Sequence, residues 1–534
     1  MISPRIIRTL CAIAVAAVGF TPQAIAQTVE LIGNDGSFRV SGKLISAANK
    51  KFTVETNIGI VSFDKDEVIC KGAACPVAID GKTDVTIAAP GQMADVILPL
   101  LAEGFAARQE MNVRLLSTSG MSLDADNTSQ GEAATKRPFD IQFNDYSGDA
   151  VSRIAVEPAG GNEAFAMLAN GAASIILSET PVDDATARTV RASGGGNLRA
   201  FDQERVVAVD GYVVVTHPDN PVATMSVDQI AAVMAGQISN WSVLGGPDLP
   251  ITVYGFGRGT DVAAHVEALL MQPLGLALSD TSKTVQSNRE LTVSVENDPT
   301  AIGVVSYSSV RDTHPIAIKN ECGMVIEPSE FNIRAEEYTL QNRITAYSLQ
   351  TPDGLTGEFV NYLDAPELDD LVSKAGLISL SVTEETSGQG RDRVLAAVEA
   401  ATSELSSDKL RNFVVDAMRS SRLSTTFRFA PASSELDNKA LRDLGRVVRY
   451  AARTKPKRLI LAGFADSNGG FNKNLALSAS RAQAVRAQLA RQAGGHELDG
   501  VEIVVSGFGE LGPIACNSSY SGRAKNRRVE VWVE

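Results

Sequence analysis

Between Gln27 and about residue 80, apolar and polar side chains change places in short steps, as at Phe38 and Val40 and again at Phe52 and Val54. Gly33, Gly36, Gly42 and Gly59 separate the runs. A two-residue period belongs to strands, and it predicts a small all-β unit over 27–80. The pattern changes at Asp84. Val85 and Ile87 read as a strand, Pro90-Gly91-Gln92-Met93 as a turn, and Ile97, Leu100, Leu101 and Phe105 as an apolar stripe at helical spacing. Strand, turn and helix recur at Ile251–Tyr254, Gly255–Thr260 and Asp261–Leu270. This alternation predicts an α/β domain over 84–382 with helices on both sheet faces. Its last helical pattern runs from Thr356 to about Ala375, and Leu377–Val382 closes it.

The run Thr383-Glu-Glu-Thr-Ser-Gly-Gln-Gly-Arg-Asp392 has almost no apolar side chain to bury and reads as the start of a linker over 383–424. Within it, Val394 to about Arg419 can form one or two helices. A third unit follows over 425–534. Phe427 and Phe429 alternate on a strand, Asp437 caps a helix striped by Leu441, Leu444, Val448 and Ala451, and Leu459–Gly463 makes a second strand. Ala482, Val485 and Leu489 stripe a second helix, Val501–Ser506 is a third strand, and Val529, Val531 and Val533 alternate on the last. The expectation is a compact α/β sandwich.

A chain of 534 residues exceeds a single ordinary core. With 44% hydrophobic and 21% charged residues it has the makeup of a globular protein. A formal charge of -14 repels polyanions, so no nucleic-acid or anionic-lipid partner is expected and any anion site must be local. Arg5 and Arg8 precede the apolar run Leu10–Phe20, and Ala24-Ile25-Ala26 follows, which reads as an export signal over 1–26. That run is about half the ~20 residues a membrane span needs, and no later segment is long enough, so the chain is not expected to span a membrane. Export favours oxidised cysteines. Cys70 and Cys75 are close enough to close a small loop, and the remaining pair, Cys322 and Cys516, falls in different units. His217, His265, His314 and His496 are scattered without ligand spacing and read as structural, so neither metal nor cofactor is expected.

Candidate chemistry gathers in two places. Asp466 ends an apolar run, and Arg481 follows on a helical stripe, so both heads can reach one rim of the sheet. A carboxylate binds an ammonium and a guanidinium grips a carboxylate, so together they can hold an amino-acid centre. A plain surface ion pair, worth about 0–1 kcal/mol, fits the same two residues. Chemistry alone leaves both readings open.

Around them stand Asn474, Leu477, Ser478, Arg481, Ala482 and Val485, then Gly522, Arg523, Asn526, Arg527, Arg528, Val529 and Glu530. In these residues the segment resembles the peptidoglycan-binding domain of OmpA-family outer-membrane proteins. The resemblance implies that Asp466 and Arg481 bind the free amino and carboxylate groups of diaminopimelate in an uncrosslinked stem peptide. It implies that Asn474, Arg527 and Arg528 belong to the same peptidoglycan-binding set. Phe464-Ala465 stands where that family usually has His-Thr.

In the central unit, Gly255-Phe-Gly-Arg-Gly-Thr260 lies between a strand and a helix, where backbone N–H groups and Arg258 can cradle an anion, although such turns also simply connect elements. Residues 84–382 resemble the phosphate-binding, type II periplasmic solute-binding proteins. The resemblance rests on Ala208-Val-Asp-Gly-Tyr-Val-Val-Val-Thr-His-Pro-Asp-Asn-Pro-Val222, Asp228-Gln-Ile230, Gly236-Gln-Ile-Ser-Asn-Trp-Ser242, Gly245-Gly246 and Ala301-Ile-Gly-Val-Val305. It implies two lobes closing on a ligand, with Gln92, Met93, Ser178, Arg258, Gly259 and Thr260 at the site. Glu179 departs from the family pattern, because its charge would repel phosphate if it faced the cleft. The combined expectation is a non-enzymatic periplasmic protein that holds peptidoglycan and a small anion such as phosphate. The alternatives are the substrate-binding component of an ABC permease, or a hydrolase of phosphate esters or wall peptides. No Ser/His/Asp, Cys/His or metal-ligand set supports the hydrolase.

Overall fold

The computed structural model describes residues 28–34, 36–46, 51–64, 67–71, 84–91, 93–117, 137–145, 148, 150–257, 260–350, 354–385, 394–395, 398, 407–494 and 498–534. The expected export signal at 1–26 lies outside these residues, as do Cys75, Gln92, Arg258, Gly259 and His496. The chain falls into two compact units that divide between residues 78 and 79.

The first unit is an antiparallel five-stranded sheet in the order Gly59–Asp64, Lys51–Thr56, Arg39–Ser46, Thr28–Gly33, Val68–Lys71. Its alternation buries Val29, Leu31, Phe52, Val54 and Val68 on one face and leaves Ile45, Ile60 and Ile69 exposed. Cys70, on the last strand, is disulfide-bonded.

In the second unit one long sheet runs Lys283–Val285, Thr252–Phe256, Ala301–Ser306, Glu204–Thr216, Gln341–Ser348, Ile175–Ser178, Asp84–Ala89, Ala150–Pro158, Phe139–Asn144, Asn112–Ser117. Helices cover it in two separate lobes. Ile87, Leu101, Phe105, Phe143, Ile344 and Phe359 belong to the first core, and Val214, Ile230, Trp241, Leu270, Ile302 and Tyr338 to the second. The strand Glu204–Thr216 belongs to both lobes. Its first half pairs with Gln341–Ser348, from Glu204 opposite Tyr347 to Gly211 opposite Gln341, and its second half with Ala301–Ser306. Covered on both faces, it is valine-rich and buried at every position after Glu204, so inside and outside do not alternate along it.

Two expectations need correction here. The single helical pattern from Thr356 is two helices, Gly354–Tyr362 and Leu368–Lys374, because Pro366 cannot continue the first. Met93, expected in a turn, instead opens a wide helical turn, Met93–Ile97, that joins the helix Leu98–Arg108. At the start of the expected linker, Ser424 N donates to Thr383 O at 2.8 Å and Glu385 N to Arg422 O at 2.7 Å; residues 386–393 of it lie outside the described residues.

The C-terminal sheet has the order Ser421–Arg428, Arg528–Val533, Arg458–Gly463, Glu502–Gly507. The helices Asn438–Thr454 and Phe471–Gln492 cover one face around Leu444, Val448, Leu461, Val485 and Val531. Asp437 caps the first of them, accepting from Ala440 N at 2.7 Å. The helix Ser407–Arg419 puts Phe413 among Phe464, Phe508 and Trp532 on the other face. Cys322 and Cys516 form a disulfide between the central and C-terminal domains. No helix among the described residues is long and apolar enough to cross a membrane.

Candidate functional site

The C-terminal strand Arg458–Gly463 and the helix Phe471–Gln492 approach unusually closely, because Gly463 has no side chain. A Cβ there would lie 2.1 Å from Ser478 O. The contact lays Asn474, Ser478 and Arg481, spaced at one helix face, against the strand's carboxyl end. Asp466 sits just beyond that end. One of its oxygens accepts from Asn468 N at 3.0 Å and the other from Arg527 Nη1 at 2.8 Å. Asn474 Nδ2 donates to Asp466 O at 3.0 Å and to Glu510 Oε1 at 2.7 Å.

Arg481 is 0% exposed. Its Nε donates to Ser433 O at 3.0 Å and its Nη2 to Ala430 O at 3.3 Å, while the guanidinium lies 5.3 Å from the Phe429 ring centre. Its Nη1 is buried with no partner. Burial, with the neighbouring charge of Arg527, lowers the guanidinium pKa to about 10, and Asp466 is near enough to oppose that shift. Asp466 and Arg481 are not bonded to each other. Arg527 interposes, tied to Phe429 O at 3.0 Å as well as to Asp466. The result is an anionic group and a cationic group side by side, with a guanidinium N–H lacking an acceptor, an arrangement costly to leave unfilled.

Arg528 is not brought to this group. Its Nε donates to Glu530 Oε1 at 2.7 Å and its Nη2 to Gly512 O at 2.8 Å, and it lies over the Phe464 ring. Successive residues of a strand point to opposite faces, so Arg527 and Arg528 separate. Phe464, where the resembled family has histidine, belongs to the aromatic cluster. Sequence reasoning missed Glu510 and the carbonyls of Ala430 and Ser433. No side-chain pattern marks a carbonyl, and Ala432, at φ 53°, bends that loop without the glycine that would have betrayed the turn.

In the central domain Glu179 lies near the junction of the lobes, with Ser178 beside it in the chain and Thr260 heading the helix that carries His265, whereas Met93 is part of the first core. Ser178 Oγ donates to Thr180 O at 2.8 Å and receives Thr180 N, so its hydroxyl serves its own turn. Thr260 Oγ1 accepts from Ala263 N at 3.2 Å and caps a short helix, Asp261–Val266. Glu179, after a first-lobe strand, accepts from Tyr212 Oη at 3.3 Å and lies 3.7 Å from His265 Nδ1 on the second lobe. Glu179 therefore faces the space between the lobes. His265, read as structural from sequence, is at this junction, tilted against Tyr212 with ring centres 5.0 Å apart. Burial lowers its pKa to about 4, which leaves it neutral near pH 7. A carboxylate here accepts but cannot donate, so a ligand meeting it must bring a donor. Among the described residues no cluster of three His, Cys, Asp or Glu is placed to hold a metal.

Residues 92–367, more than half of the chain, match the PBP superfamily domain, and residues 428–527 match the OmpA family. Over 243 residues the chain is 24% identical to the phosphate-binding protein PstS of Bacillus subtilis (strain 168), covering 44% of this chain and 75% of that protein. Its C-terminal part is 38% identical over 90 residues to the peptidoglycan-binding protein ArfA of Mycobacterium bovis, covering 17% of this chain and 26% of that one. It is 38% identical over 85 residues to the probable lipoprotein YiaD of Escherichia coli (strain K12), covering 16% and 37%. Among solved structures, an ABC-type phosphate transport receptor from Vibrio cholerae aligns with 55% of this chain and 99% of its own, at 19% identity and a TM-score of 0.41.

Proposed function

The chain belongs to the PBP superfamily, and from that premise we propose that it is a non-enzymatic envelope protein that holds peptidoglycan with its C-terminal domain and a small anion, such as phosphate, between the lobes of its central domain. The observation that carries the wall-binding half is the buried, partnerless Nη1 of Arg481 beside Asp466. A free diaminopimelate end would give its carboxylate to that N–H and its ammonium to Asp466, taking the place of Arg527. Asn474 steadies the loop that carries Asp466. The 38% identity to a protein named for peptidoglycan binding supports the same assignment. Asp466→Ala and Arg481→Ala are each expected to abolish co-sedimentation with purified sacculi. Unchanged pelleting of both folded variants overturns the assignment.

For the cleft, Glu179 selects anions that still carry a proton, since only those can donate to it. Similarity to a phosphate-binding protein supports phosphate as the first ligand to try by calorimetry. It also favours a second reading, the binding component of an ABC permease localised by the wall domain. Ligand-dependent capture of a permease distinguishes the two. In either reading the protein acts in the periplasm, and the units proposed are 27–80, 84–382 and 425–534, joined by 383–424.

A further inference from the structure

The strands Glu204–Thr216 and Gln341–Ser348 carry the chain between the lobes, and only Thr339 and Leu340 separate the second from the turn Ala335-Glu336-Glu337-Tyr338. That turn is bent through Glu336 at φ 59°, a conformation few non-glycine residues adopt. The C-terminal domain grips it from outside. Arg428 Nη2 donates to Ala335 O at 2.9 Å and Glu336 O at 2.8 Å, and Lys525 Nζ donates to Glu337 O at 2.8 Å. The Glu336 carboxylate lies 3.6 Å from Lys439 and 3.5 Å from Arg428, and Arg422 pairs with Glu337. Beyond the turn, on the second lobe, Cys322 is bonded to Cys516 and Glu321 accepts from Ser518 Oγ at 2.9 Å.

The same domain also holds the first lobe. Arg442 donates to Asp364 Oδ1 at 2.6 Å, Glu204 O at 3.0 Å and Phe201 O at 2.6 Å, with its guanidinium 4.0 Å from the Phe201 ring centre. Asn438 Nδ2 reaches Glu204 Oε2 at 2.6 Å and Arg199 O at 3.1 Å. One folded domain is thus fastened to both lobes and to the connection between them. Rotation of the lobes about the crossing strands must detach it from one side, and the second-lobe attachment is covalent.

We propose that the C-terminal domain is a brace across the hinge, which holds the two lobes at one angle while the Cys322–Cys516 bond is intact. The central cleft is then a receptacle of fixed width rather than one that opens and shuts. This inference requires neither wall binding nor a particular solute.

The test places maleimide spin labels on the full-length oxidised protein in a Cys11→Ser background, through Arg188→Cys on the first lobe and Arg289→Cys on the second, and measures the distance distribution between them. A single narrow distribution is expected. Adding Cys322→Ser, Cys516→Ser and Arg442→Ala should produce a second population displaced by more than about 2 Å. Replacing Arg442→Ala with Arg442→Lys, which keeps the charge but cannot reach all three acceptors, should do the same if the alanine variant fails to fold. Two populations in the oxidised parent overturn the proposal, as does an unchanged single distribution in a folded unbraced variant.

Discussion

Asp210 is a carboxyl on a crossing strand with only neutral groups for support. It accepts from Ser306 Oγ at 3.0 Å and Gly211 N at 2.7 Å, yet burial raises its pKa to about 6 because these donors only partly offset the lost hydration. A folded value above the unfolded one means that this group's contribution to stability is fully present below about pH 4 and is lost as pH rises through about 6. The difference amounts to about 3 kcal/mol. Asp210→Asn removes the charge, so the stability of the parent relative to this variant should fall by that order between pH 4 and pH 8 in urea titrations. A pH-independent difference contradicts the argument. In the sequence Asp210 stood within the run that resembles solute-binding proteins, but its burial was not legible. The flanking valines hide any alternation that would have told inside from outside.

At the scale of elements, the candidate wall site depends on how flatly one helix lies on one strand. Gly463→Ala would press its new Cβ against Ser478 O and lift the helix Phe471–Gln492, carrying Asn474 and Arg481 away from Asp466. The cost expected for such overpacking is about 1–3 kcal/mol. Pelleting with sacculi should be lost although every charged residue of the site remains. Retained pelleting with the stability loss would show that the close approach serves packing alone. The helix face bearing Asn474, Ser478 and Arg481 was legible, because helical spacing is local. The loop that receives Arg481 was not, since Ala430 and Ser433 contribute carbonyls from a distant turn.

At the scale of the whole chain, the sequence showed the β unit, the α/β alternation and the C-terminal sandwich through their changing periods. It did not show how the central and C-terminal domains join. Glu336, Arg422 and Lys439 are charged types that ordinarily read as surface, yet each is buried, and only residues far apart in the chain make that burial tolerable. Around Glu336, burial alone would raise the carboxyl pKa, but Arg343, Lys439 and Arg428 outweigh it and hold the group well below the usual range. Glu336→Gln strands those cations. It should cost about 3–5 kcal/mol, and calorimetry should resolve the melting of the two domains into separate transitions. A single transition at the parent temperature would mean that the network adds nothing to their union.

The disulfide also bears on biogenesis. Cys322 and Cys516 are the last two cysteines in this sequence, at a sequence separation of 194. A polypeptide oxidised progressively from its amino end would reach this pairing without isomerisation only where the earlier thiols had already been consumed. Cys322 must nonetheless wait, reduced, until the chain has been made as far as Cys516.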